Sequence, residues 1–283
     1  MILDKPTPWA QGPLNYARHG VRSLYNADFY SFLASFASKS AEHVVPLLKD
    51  QLTIRSVADF GCGQGAWLSV WQKLGVSVMG VDGPHVDHRN LMIDTREFRV
   101  ADLGLRIDLG RRFDLVQSLE VAEHLPGERA SDFIQELTAH APFVMFSAAV
   151  PGQGGEHHVN EQPLEYWRAK FRDQGYLAVD YIRPQISGNI LIQNWYRYNI
   201  LLYIDESRFQ ALPAKLQAFR VPDNQSLAEY WPLPERIQHA FVRQLSRGAV
   251  DHLSRLKSRA IARKARTANF VRPDEWPVRN PST

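Results

Sequence analysis

Residues Val57–Leu68 read VADFGCGQGAWL. The first letters close a short β-rich run, IRSVADF (54–60). Glycines then fall at alternate positions, Gly61, Gly63 and Gly65, and the helix-forming stretch AWLSVWQKLG follows, closed by Gly75. Glycines between a strand and a helix let the backbone turn sharply and approach a ligand without a Cβ in the way. The helix start supplies N–H groups and the positive end of the dipole. A glycine triplet alone serves a plain tight turn equally well, and G-x-G-x-G is not the dinucleotide spacing G-x-G-x-x-G. Three acids sharpen the reading. Asp59 stands two residues before the first glycine. Asp82, followed by Gly83, ends the next apolar run, VSVMGVD, where a ribose diol fits. Asp102, followed by Leu103, ends a third, FRVADL.

Outward from this stretch, RRFDLVQSL reads as a fourth strand, ERASDFIQELTAH as a helix and PFVMFSAAV as a fifth strand. PLEYWRAKFRDQG reads as a helix ending at Gly175, and YLAVDYI and YRYNILLYI as two closing strands. Strands alternating with helices predict an α/β fold with a parallel sheet covered on both faces. Upstream, Asn26 or Asp28 caps a helix through FYSFLASFASKSAEHVVPLLKD, with a break at Pro46. After Asp205 the strand signal stops, and a helical tail follows with breaks near Val221–Pro222 and Trp231–Pro234. The expected organisation is an N-terminal helical cap (1–51), a central α/β domain (52–204) and a basic helical extension (205–283).

Composition excludes several classes. At 45% hydrophobic and 22% charged residues, the 283-residue chain is neither disordered nor fibrous. No apolar run reaches the length of a membrane span, and MILDKPTPWAQG lacks the basic start and apolar core of a secretory signal, so a cytoplasmic location is expected. Cys62 is the only cysteine, which rules out an internal disulfide and a cysteine-based zinc site. It reads as a small buried filler, because no basic neighbour in sequence lowers its pKa. The net charge of +3 hides an asymmetry: Arg236 to Arg272 holds ten Lys/Arg against one acid, Asp251, a balance of +9 that leaves −6 for the rest. Such a tail suggests an anionic partner, either nucleic acid or a membrane surface at the inner face of the cell membrane. Within HLSRLKSRAIARKAR, Leu253, Leu256, Ala260 and Ile261 fall near one side of a helix.

Taken together, DFGCGQG, GVDG, ADL and FDLVQSLEVAEHLP resemble class I S-adenosylmethionine-dependent methyltransferases over roughly Ser56 to Ile204. The resemblance implies a Rossmann-like seven-stranded, mostly parallel sheet whose final strand is antiparallel. It implies that the loop Gly61, Cys62, Gly63, Gly65 wraps the methionine part of S-adenosylmethionine and that Asp59 anchors the loop, facing the amino group through water. Asp82 with Gly83 would take the ribose hydroxyls, Asp102 the adenine amino group and Leu103 the ring, while Ser118 and Leu119 line the pocket. Further on, AAVPGQGGEHHVNEQPLEYWRAKFRDQGY and NWYRYN resemble a bacterial subfamily associated with cell-surface glycan and secondary-metabolite biosynthesis.

The chemistry is expected just past the fourth strand, at Glu120-Val-Ala-Glu123-His124. Spacing i, i+3, i+4 places these side chains on one face of a helical turn. Two carboxylates and an imidazole form a face for a divalent ion, though a Glu–His pair also simply braces a turn. The E-x-x-E-H pattern is similar to that of metal-dependent methyltransferases acting on small-RNA terminal riboses and of ubiquinone-pathway ones. In the small-RNA enzymes a further histidine follows strand five, where this chain has His157 and His158, and His158 fits the subfamily pattern better. The expected metal set is therefore Glu120, Glu123, His124 and His158, with manganese, iron or zinc favoured over magnesium by the mixed donors. His158, His124 and Glu123 are the expected catalytic residues, and in a metal-free reaction His158 is the general base ahead of His124. Trp167, Tyr166, Trp195, Tyr196 and Tyr198 are candidates for a sugar-stacking wall, each taken singly being expected in the core. Tyr16 and Arg18 are candidates to cap the cofactor.

The expected activity is O-methylation of a hydroxylated small molecule, sugar or glycan precursor. An RNA ribose 2′-O-methyltransferase is one alternative, set against an acidic body with no RNA-binding module. A non-catalytic scaffold is another, opposed by the intact glycine loop and the three acids. Oligomerisation is left open.

Overall fold

The computed structural model describes residues 27–256 apart from 247. Its sheet has seven strands: β1 (Ser56–Phe60), β2 (Ser77–Asp82), β3 (Phe98–Val100), β4 (Leu115–Leu119), β5 (Phe143–Ser147), β6 (Tyr176–Val179) and β7 (Leu201–Asp205). They lie in the order β3-β2-β1-β4-β5-β7-β6. The first five are parallel, and β7 runs antiparallel to both its neighbours. This is the expected Rossmann-like α/β fold with a reversed last strand. Strand order turns back between β1 and β4, and in such sheets that switch point is where loops diverge and open a crevice.

Nine α-helices accompany the sheet among the described residues before residue 247: α1 (Ala27–Lys49), α2 (Ala66–Lys73), α3 (Ala130–His140), α4 (Leu164–Asp173), α5 (Arg183–Ile186), α6 (Asn194–Asn199), α7 (Glu206–Phe209), α8 (Ala214–Gln217) and α9 (Leu233–Val242). Alternation along the strands feeds two cores. Val57, Leu115, Leu202 and Ile204 pack with Val44, Val45 and Leu48 of α1 and Leu68 and Trp71 of α2. Ala58, Val116, Leu201 and Tyr203 face the other way, onto Phe133, Ile134 and Leu137 of α3 and Trp167 and Phe171 of α4. A buried polar relay crosses the first core: Trp71 Nε1 donates to Gln117 Oε1 at 2.9 Å, and Gln117 Nε2 donates to Asp59 Oδ2 at 2.7 Å. It ties α2 through β4 to the carboxylate beside the glycine loop.

Three expectations change. Helix α1 starts at Ala27 and continues through Pro46, so the expected break is absent and Asp28 lies inside the helix; Asn26 lies outside the described residues. The missing N–H of Pro46 removes one bond to the carbonyl of Glu42, and Glu42 is exposed, so the loss falls on the solvent side of the helix. The run YRYNILLYI is not all strand: Tyr196–Asn199 belongs to α6, and pairing begins at Leu201. β7 finds its partner only alongside Phe143–Phe146, and upstream of Leu201 the helical turn satisfies the backbone instead. The 205–283 extension is also more than an appendage. Asp180 N donates to Phe219 O and Val221 N to Ala178 O, so residues 219–221 cover the outer edge of β6. Residues 248–256 form a further helix. Ala260, Ile261, Tyr16 and Arg18 lie outside the described residues.

Candidate active site

The loops after β1, β2, β4 and β5 meet at one end of the sheet. A cavity of about 420 Å³ opens there, lined by Asp59, the Gly61–Gly63 loop, Gln64, Trp67, His85–Asp87, Asn90, Leu119, Trp195 and Tyr196, with Ala34 and Ala37 of α1. Two loop glycines have different reasons to be glycine. At Gly61 (φ +87°) a Cβ would sit 2.3 Å from Val121 Cγ2, inside the protein, whereas at Gly63 (φ +53°) it would meet no protein atom within 4 Å. Gly61 is required by packing, and Gly63 leaves backbone bare toward the open side.

Asp82 holds this loop. Its Oδ2 accepts from Gly63 N at 2.7 Å and its Oδ1 from Gly83 N at 2.6 Å, with His85 Nε2 at 3.4 Å. Loop anchoring, expected of Asp59, thus falls to Asp82, while Asp59 is gripped by Gln117 and lines the cavity. Burial lifts the Asp59 carboxyl from 3.8 to about 7, the Gln117 bond opposing the rise and the Asp82 charge adding to it. Cys62 is buried and its thiol is pushed well up by burial and by Asp59 and Asp82, which makes it a filler. Ser118 is fully buried and donates to Phe60 O at 2.8 Å, so among the pair it is Leu119 that reaches the cavity. Asp102 is exposed and accepts from Gly104 N at 2.8 Å; neither it nor Leu103 is in the cavity wall.

The raised pKa of Asp59 gives a testable linkage. An acid whose folded-state pKa exceeds its unfolded value stabilises the fold less as pH rises from about 4 to about 7, by up to about 4 kcal/mol for a fully buried group. Asp59→Asn keeps an oxygen for Gln117 and abolishes this slope. In urea unfolding at about pH 5 and about pH 8, the variant is expected to gain on the native chain by a few kcal/mol at the higher pH. Parallel pH dependences for the two would refute it.

The second part of the site is the segment after β4. Here Glu120 takes a left-handed conformation (φ +57°), and only Ala122–His124 forms a 3-10 turn. The three side chains therefore do not share one helical face. Glu120 swings to Gln153, whose Nε2 donates to its Oε2 at 2.8 Å, and its other oxygen lies 3.5 Å from Asn199 Nδ2. Glu123, His124 and His158 do converge, with one ligand-type atom from each within 4.8 Å of the others. The carbonyl of Glu123 accepts from Val159 N (2.8 Å) and Asn160 N (3.0 Å), which draws the loop after β5 alongside. The His124 and His158 rings meet edge to face at 4.8 Å.

Both carboxylate oxygens of Glu123 are buried without a hydrogen-bond partner. Burial, reinforced by the Glu120 charge, pushes this carboxyl well above its ordinary value, so a proton or a cation must neutralise it. Desolvation by the surrounding loop, with His158 beside it, holds His124 below the usual imidazole value even though its outer edge is exposed. The donor set of one carboxylate and two imidazoles fits a divalent transition ion.

The sequence reading missed Glu161. Its Oε1 lies 2.8 Å from His158 Nδ1, and the same carboxylate accepts from Gly152 N and Gly154 N. Burial opposes ionisation, but these partners hold its carboxyl below the ordinary range. A carboxylate on Nδ1 fixes the ring and directs Nε2 to a metal or a proton. The signal was the H-x-x-E spacing of His158 and Glu161. Gln64, Trp67, His85 and Asn90 also escaped the sequence reading. Of the aromatic candidates, Trp195 and Tyr196 line the cavity, while Trp167 and Tyr198 are buried in packing and Tyr166 stacks against Trp167 and Lys170.

A second cavity, about 290 Å³, lies beside His158. The loop side offers Gly155, Asn160 and Gln162, and the extension offers Val242, Leu245 and Val250. Asn160 Nδ2 is buried with no hydrogen-bond partner. Extension and loop are coupled: Arg243 Nε donates to Pro151 O at 2.8 Å, His157 N to Asp251 Oδ1 at 3.3 Å, and Trp231 Nε1 to Asn199 Oδ1 at 2.9 Å. Asn199 Nδ2 in turn donates to Gln153 Oε1 at 2.9 Å, which links Trp231 to the partner of Glu120.

A family model for a methyltransferase domain matches residues 19–271. A stretch of 76 residues is 36% identical to the ubiquinone biosynthesis O-methyltransferase of Rhodopseudomonas palustris (strain TIE-1), covering 24% of this chain and 28% of that protein. In strain BisB5, 104 residues of the enzyme of that name are 32% identical, covering 34% and 39%. The match thus spans well under half the length of these curated relatives. Among solved structures, the sugar N-methyltransferase from Streptoalloteichus sp. ATCC 53650 is 15% identical, with 72% of this chain and 98% of that one covered at a TM-score of 0.46. The magnesium protoporphyrin IX methyltransferase from Synechocystis PCC 6803, with bound SAM, is 20% identical, with 69% and 92% covered at 0.45.

Proposed function

The chain belongs to the methyltransferase-domain family, and on that premise we propose that it transfers the methyl group of S-adenosylmethionine to a hydroxyl of a small-molecule, sugar or glycan-precursor acceptor. The observation that carries this is the cavity at the sheet's switch point, floored by the glycine loop and bounded by Asp59. The bare backbone at Gly63 admits the cofactor's methionine part, and Asp59 serves its amino group. An ammonium beside Asp59 favours its ionised form, so cofactor binding would discharge the proton that burial retains there.

We place the acceptor in the second cavity, beside His158 and the unpartnered amide nitrogen of Asn160, whose oxygen accepts from Gln162. In the reaction a lone pair of the acceptor oxygen forms the O–CH3 bond as the S–CH3 bond breaks, leaving S-adenosylhomocysteine. The acceptor's proton must leave; in a metal-free reaction His158, fixed through Nδ1 by Glu161, takes it on Nε2, a role it gives up where that nitrogen ligates an ion and the proton passes to solvent. Glu123, His124 and His158 would hold a divalent ion, which when bound lowers the acceptor's pKa as a Lewis acid. The protein's main task is alignment and exclusion of water, because the sulfonium is already activated.

The test is transfer of labelled methyl from S-adenosylmethionine to a panel of nucleotide sugars, lipid-linked glycans, phenols and RNA. Turnover on hydroxylated small molecules or glycans is expected; transfer confined to RNA, or none at all, would reject this reading. Glu161→Gln is expected to lower kcat by about 10- to 100-fold at unchanged cofactor affinity, since it loosens His158 without touching the cofactor cavity. Steady-state kinetics with calorimetry separates the two effects.

A further inference from the structure

Helix α9 carries Leu233, Ile237 and Phe241 at i, i+4 and i+8, exposed by 65%, 62% and 66%. A helix of a globular fold ordinarily turns such a stripe inward. Here the inward position is held by the buried His239, packed on Trp231 at 4.5 Å, and the apolar stripe is left outside. Arg236 and Arg243, seven residues apart and both exposed, run in a row beside the stripe. The next helical stretch (248–256) exposes Leu253, Leu256 and Arg255. The sequence from Arg236 to Arg272 carries ten Lys/Arg against Asp251 alone.

We propose that the exposed faces of α9 and of the helical stretch 248–256 form a docking surface for an anionic lipid bilayer. An apolar stripe bordered by basic side chains lies in the headgroup region with its apolar residues in the acyl boundary and its cations on lipid phosphates. Nucleic acid would use the charge but leave Leu233, Ile237 and Phe241 in water. A second copy of the chain would bury the stripe but bring together two sequence segments that each carry +9. Lipid satisfies both features. No helix among the described residues is long and apolar enough to cross a membrane. Val242 and Val250 of the same extension line the second cavity, so docking brings that cavity to the bilayer surface. The inference does not depend on the methyltransferase reading, and its test reads lipid binding alone.

The full-length protein is sedimented with phosphatidylglycerol vesicles and with phosphatidylcholine vesicles. Partition onto the anionic vesicles is expected to exceed that onto the neutral ones by about tenfold and to fall by a similar factor at about 0.5 M salt. The double variant Ile237→Gln, Phe241→Gln is expected to lose about tenfold in anionic binding at low salt, with unchanged thermal unfolding. Four results would overturn the proposal: no anionic binding by the native chain, equal binding by the double variant, preference for a single-stranded RNA oligomer over the vesicles, or a concentration-dependent dimer that the double variant abolishes.

Discussion

Gly61→Val is expected to lose about 2–5 kcal/mol of stability, while Gly63→Val loses less and fails to bind cofactor. At Gly61 the new side chain overlaps Val121 and must adopt φ +87°. Overpacking of about 1–3 kcal/mol adds to about 1–2 kcal/mol for a branched residue in the left-handed region. Together these come to about 2–5 kcal/mol, a large fraction of the about 5–15 kcal/mol of a typical domain. At Gly63 only the backbone term applies, because the side chain projects into open space where the ligand is placed. Circular dichroism melts and S-adenosylmethionine calorimetry on both variants separate the cases. A Gly61→Val as stable as the native chain would refute the packing argument, and normal affinity in Gly63→Val would refute the placement of the ligand.

Chelation is expected to lower turnover by about a hundredfold or more with cofactor affinity unchanged, and manganese, iron or zinc to restore it. Glu123→Ala and His158→Ala should each reproduce the loss, since both side chains stand in the convergent cluster. Glu120→Ala should cost less, because that carboxylate is engaged by Gln153 and Asn199 rather than by the cluster. Full activity after exhaustive chelation, with no metal in elemental analysis, would assign the proton transfer to His158 acting alone as base.

The sheet was legible because periodicity and punctuation agreed along it. Runs ending at Phe60, Asp82 and Leu119 were each followed by a glycine or a polar residue, and β1 and β4 are buried on both faces although Asp59, Gln117 and Ser118 interrupt their apolar letters, each of them hydrogen-bonded inside. Local pattern gave less where tertiary partners decide. Tyr196–Asn199 has strand composition but no strand beside it, so it coils. E-x-x-E-H read as one helical face because spacing carries no φ, and the left-handed turn at Glu120 sends that carboxylate elsewhere. Glu161 was hidden for the opposite reason: only the folded loop shows that the residue three beyond His158 returns to its ring. The coupling of the extension to the site, through Trp231, Arg243 and Asp251, joins residues 32 to 94 positions apart, which no local pattern reports.

The central claim is that the glycine-loop cavity is a cofactor site, and titration calorimetry of the full-length protein with S-adenosylmethionine and S-adenosylhomocysteine tests it most directly. Saturable binding of both at one site per chain, lost in Gly63→Val and retained in His158→Ala, is the predicted result; absence of binding, or binding that Gly63→Val leaves intact, would contradict it.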